Sequence, residues 1–241
     1  MRANSNPFSV FLAALFCGGF LCVADDASAG NYSVPGTSNP FLSGMPSGST
    51  CCDGDSAPAE SPVYAGPATA GETFTFTVTG SVSYEGLTPH NPPDGGFHFS
   101  DPRSEDGLTS INDIANYYRM PINALVGVFL GPGLPTSNPA PGLLNFGVHD
   151  LGHGTYVGMN FTTLSPELQQ TFFIGDGLTG RGSGSVQTFI APTGATRLYL
   201  GVVDGVHWGN NTGGYDECVN CGSAVSELSS DSVVPSLQPG P

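Results

Sequence analysis

Between Glu72 and Tyr84 the chain reads Glu-Thr-Phe-Thr-Phe-Thr-Val-Thr-Gly-Ser-Val-Ser-Tyr, and no other stretch constrains the fold as tightly. Phe74, Phe76, Val78, Val82 and Tyr84 fall on even positions, with hydroxyl residues mostly between them. A period of two sends one apolar face to a core and one hydroxyl face to water, which describes a half-buried strand. Ile122 to Leu130 is almost continuously apolar and reads as a strand covered on both sides. Further short strands are predicted at Thr171 to Ile174, Val186 to Ile190, Arg197 to Val203 and Gly213 to Val219. Between them, 35 Gly and 21 Pro break any long helix. The pattern predicts an all-β domain, an antiparallel β-sandwich or jelly roll. Helix is expected only at Ser110 to Arg119. A capped turn is expected at Ser165 to Gln169, with Ser165 as N-cap and Pro166 following it.

The strands occupy one stretch, predicted as a single domain over 63–220. Residues 1–29 read as a signal peptide: Arg2, a short apolar run, then the small-x-small site Ala27-Ser28-Ala29. Residues 30–62, rich in Gly, Ser, Pro and Asn without periodicity, are expected to be a linker, and 221–241 a flexible tail. The mature chain is therefore expected to be secreted, extracellular or at the cell surface, with no C-terminal membrane anchor. Export makes Cys51, Cys52, Cys218 and Cys221 disulfide candidates, with three possible pairings. Because a bond between adjacent cysteines is strained, cross-pairing of the linker to the last strand is expected. A four-thiolate zinc site is the alternative.

Charge narrows the function. There are 5 basic residues, all Arg, against 20 acidic ones, a net charge of −15. A chain without lysine has no phosphate-loop or Schiff-base lysine, and so few bases argue against nucleic acid as a partner. His149-Asp150-Leu151-Gly152-His153 approaches a zinc-hydrolase motif, but its glycines oppose the required helix. No Gly-x-Ser-x-Gly elbow is present, and spacing singles out no pair of acids for glycoside hydrolysis. The chain is expected not to be an enzyme.

The segment from Leu198 to Tyr215 carries the chemistry. A strand ends at Asp204, a glycine-rich loop follows with His207 and Trp208, the only tryptophan, and Asn210-Asn211 precedes the next strand. Carboxylate, amide and carbonyl oxygens on one tight loop suit Ca²⁺. The same residues also make ordinary turns. Asp176 in Ile174-Gly-Asp-Gly177 offers either a further calcium ligand or a simple turn.

With Ile122 to Gly131 upstream, this segment resembles the calcium-dependent, galactose-binding bacterial lectins of the PA-IL (LecA) type. Asp204, Asn210, Asn211 and Gly213 to Tyr215 follow the order of their last loop. Val82 to Gly86 stands where those lectins place a tyrosine carbonyl ligand, and Asn123-Ala-Leu-Val126 matches their Gly-Ala-Leu-Val strand. The resemblance implies a galactose-binding-like β-sandwich and a bound Ca²⁺. Its implied ligands are the side chains of Asp204, Asn210 and Asn211 with the carbonyls of Tyr84 and His207. It implies carbohydrate as partner, of galactose type, with His98, Asp101 and Trp208 as sugar contacts. The departures are a last loop shorter by one residue, a His98-Phe-Ser-Asp101 stretch lacking the lectins' proline and glutamine, and a long insertion from Gly131 to Gln170. In that insertion the chain resembles exported bacterial proteins, many with a PEP-CTERM sorting tail, which is not expected here because no apolar helix follows Val234-Pro235. The alternative is a structural or matrix β-sandwich protein that has lost sugar binding.

Overall fold

In a computed structural model, residues 29–102 and 107–221 are described. Apart from one residue each, the expected leader and tail lie outside them. The described chain is mostly β, in several small sheets, with three short 3-10 turns at Pro40–Leu42, Pro135–Ser137 and Trp208–Asn210. One sheet runs Gly30–Pro35, Thr212–Val219, Phe76–Ser83, all antiparallel. A second runs Thr171–Phe173, Leu125–Leu130, Arg197–Val202, Val63–Pro67, again antiparallel. A small third sheet joins Thr163–Leu164, Thr188–Ile190 and Thr73–Phe74, its first pair parallel.

The alternating run forms the strands Thr73–Phe74 and Phe76–Ser83, with Phe74, Phe76, Val78 and Val82 buried. Every residue of Leu125–Leu130 is buried, as a doubly covered strand requires. Gly127 leaves room there for the Phe172 ring, which stacks on Phe129 at 5.2 Å and lies 5.5 Å from Phe189. One apolar core takes Val34, Val82 and Tyr215 from the first sheet and Val126, Leu198 and Phe172 from the second.

Three expectations are corrected. Residues 30–62 belong to the folded body: Gly30–Pro35 pairs along its whole length with the Thr212–Val219 strand, and Phe41 and Leu42 are in the core. Their apolar residues are isolated and carry no period, so composition alone hid them. Ser110 to Arg119 is not helical but forms Ser110–Ile111 paired with Ile114–Ala115, followed by Tyr117–Tyr118. Asn112 and Asp113, both at positive φ, close that hairpin, as their side chains favour. The cysteines pair locally, Cys51 with Cys52 and Cys218 with Cys221, rather than across the domain.

Candidate functional site

The Arg197–Val202 strand continues into a loop that starts on a firm footing. The Val203 amide donates to the Ala124 carbonyl, and the Asn123 amide donates to the Val203 carbonyl. The Tyr117 hydroxyl donates to the Asp204 carbonyl at 2.7 Å. Asp204 Oδ1 then accepts the amides of Val206 and His207 at 3.2 and 3.4 Å, curling the loop around its own carboxylate. A 3-10 turn at Trp208–Asn210 leads into the Thr212–Val219 strand.

A second brace comes from far away in the chain. Asp55 Oδ2 accepts the Trp208 amide and Oδ1 the Gly209 amide, at 2.9 and 3.1 Å. The Asn39 side chain donates to Asp55 Oδ2, and the Asp53 amide to the Val206 carbonyl. Asn210 laces the loop to the turn after Tyr84. Its carbonyl accepts the Gly86 amide at 2.7 Å and its Oδ1 the Glu85 amide at 3.4 Å.

These elements enclose a cleft of about 350 Å³ whose walls include Tyr84, His98, Asp204, His207 and Asn210. Four of the five expected calcium ligands thus line one cleft. The fifth, Asn211, is not among the lining residues: its Nδ2 donates to the Gly36 carbonyl at 2.9 Å, and its side chain sits against the Asp204 carboxylate. Asp204 Oδ2 and Asn211 Oδ1 are both buried without a hydrogen-bond donor. Burial raises the Asp204 carboxyl above its usual range, despite the His207 amide, the Asn211 side chain and the Val206 amide. An orphaned buried acceptor costs about 1–3 kcal/mol. A hard cation such as calcium would give both oxygens a partner, oxygens being the ligands that it takes.

Of the expected sugar contacts, His98 is exposed on the cleft wall. Asp101 stands where its charge reaches Tyr117 and is not among the lining residues. Trp208 is corrected: its ring is fully buried, its Nε1 donates to the Val202 carbonyl at 2.6 Å, and it meets Phe41 edge-on. A ring without exposed surface has no face for a sugar. Asp55 and Asn39 carry no sequence signal, because nothing in a Ser- and Gly-rich stretch announces a carboxylate that works 153 residues away.

Elsewhere, Asp176 serves its own turn, accepting the amides of Leu178 and Gly182. His149 to His153 is an exposed irregular stretch in which His153 stacks on Tyr118. A larger recess of about 500 Å³ beyond Val206, lined by residues such as Cys52, Leu108 and Ile111, lacks the cleft's set of converging oxygens. No family model, curated protein or solved structure matches this chain.

Proposed function

We propose that this chain is a calcium-dependent, non-catalytic carbohydrate-binding protein acting outside the cell, with the metal held at the mouth of the Asp204–Asn211 loop. The observation that carries the reading is the pair of orphaned oxygens, Asp204 Oδ2 and Asn211 Oδ1, beside a cleft lined by Tyr84, His207 and Asn210. The side chains of Asp204, Asn210 and Asn211 and the carbonyls of Tyr84 and His207 would hold the ion. Calcium supplies a docking point for vicinal sugar hydroxyls, and the chain's own part is to hold five oxygens in place with the water-facing side open.

Two further features support the lectin-like reading. Asn123, which stands where those lectins have glycine, has φ 63°, a region that asparagine tolerates better than most residues. The shared core of the three- and four-stranded sheets supports their packing as the two layers of a sandwich.

Thermal unfolding with and without Ca²⁺ tests the metal. Saturation at about one hundred times Kd adds roughly 2.7 kcal/mol, a rise of about 5–10 °C for a domain of this size. Asp204→Ala should abolish the rise. A glycan array then reads the sugar, with binding expected in Ca²⁺ and lost in EDTA. Calcium stabilisation without any glycan signal would favour the matrix-protein alternative, and no calcium response would end the proposal.

A further inference from the structure

We propose that the cleft continues into a second subsite, built on Phe97 and Arg181, that takes a uronic acid next to the calcium-bound sugar of the same glycan. The inference rests on the reading of the cleft as a calcium-dependent sugar site. A recess of about 300 Å³, whose walls include His90, Phe97 and Arg181, shares Tyr84, His98 and Ile122 with the cleft. A glycan leaving the loop across His98 therefore passes from one recess into its neighbour.

Two side chains give this recess its chemistry. Phe97 is 92% exposed, an aromatic ring almost wholly open to water. The C–H face of a pyranose would remove such a ring from water, which is worth about 25 cal/mol per Å². Arg181 lies over the ring at 5.4 Å and donates to the carbonyls of Gly95 and Gly96 at 3.2 and 3.3 Å. Those bonds fix the guanidinium on the rim with two of its five N–H groups used. The remaining fork matches a carboxylate, which lysine would grip less specifically.

Charge makes the choice of ligand. A chain of net charge −15 repels polyanions at a distance, so only a cation at short range can favour an acidic sugar. The carboxylate that shares the Arg181 field, Asp94, is buried, and among the described residues lining the recess the guanidinium is the exposed charge.

Titration calorimetry in Ca²⁺ compares glucuronosyl-galactose with its carboxyl-reduced counterpart, glucosyl-galactose. The acidic disaccharide should bind about five-fold tighter, the scale of one exposed charge pair, and salt should narrow the gap. Arg181→Gln should erase the preference for the acidic disaccharide, while Arg181→Lys keeps part of it. Phe97→Ala, at a side chain too exposed to matter for folding, should weaken both. Equal binding of the two sugars by the unaltered protein, a preference that survives Arg181→Gln, or an inert Phe97→Ala overturns the subsite alone. If neither sugar binds while Ca²⁺ still raises the unfolding temperature, the carbohydrate reading falls and takes the subsite with it.

Discussion

Glu217 is the residue with the least comfortable position in the molecule. It lies in the middle strand of the three-stranded sheet, opposite Tyr32 and Val78, on the same buried face as Tyr215 and Val219. Only 2% of it is exposed, and neither carboxyl oxygen has a hydrogen-bond donor. Burial pushes its carboxyl up to about 8 from an ordinary 4.5, so the folded protein holds a proton that the unfolded chain releases. The sign follows directly: stability is full below pH 4.5 and drains away as pH rises towards 8. Glu217→Gln imitates the protonated form and should flatten that slope. In urea unfolding the variant should match the parent at about pH 4 and exceed it by about 2–5 kcal/mol at about pH 9. Parallel pH profiles would show that water or a rearranged partner reaches the carboxylate. The period of two places Glu217 inside with Tyr215 and Val219, so its burial was legible once the strand was. Its lack of a donor was not, because that depends on what the neighbouring strands bring.

At the scale of elements, the working loop is held by a segment that composition dismisses. Val34, Phe41 and Leu42 anchor residues 30–62 in the core, and this delivers Asn39 and Asp55 to the back of the loop. A carboxylate accepting two backbone amides in a buried setting makes charge-assisted bonds, stronger than neutral ones. Asp55→Ala leaves the Trp208 and Gly209 amides without their acceptor and should cost about 2–4 kcal/mol in thermal unfolding. A calcium titration of the same variant should also show a weaker ion, although Asp55 never meets the metal. Asp55→Asn, which keeps one acceptor oxygen, should fall between. An Asp55→Ala protein with unchanged calcium affinity would make the brace irrelevant to the site. The contrast with the strands is physical: periodicity reports a residue's own environment, whereas a brace depends on two stretches meeting. The same limit explains Ser110 to Arg119, where Asn112 and Asp113 turned a supposed helix into a hairpin.

For the whole molecule the question is whether covalent bonds or the core hold the two ends of the described domain together. A disulfide from the Cys51–Cys52 loop to the Cys218–Cys221 end would close more than 150 residues and contribute about 5 kcal/mol by the chain-entropy argument. Pairs separated by one and three positions close almost nothing and contribute about 1–2 kcal/mol each. The structure has the second arrangement, and it also has the Gly30–Pro35 strand paired residue for residue with Gly214 to Val219. Hydrogen bonds and apolar packing therefore do the work that a long-range bridge would do. Non-reducing digestion and mass spectrometry should recover the Cys51–Cys52 peptide free of the Cys218–Cys221 peptide. Reduction should lower the unfolding temperature modestly and leave one cooperative transition. A peptide linking the two regions, or a loss of cooperative unfolding on reduction, would place the closure in the sulfurs. It would also make calcium binding sensitive to reductant, because Asp55 lies only three residues beyond Cys52.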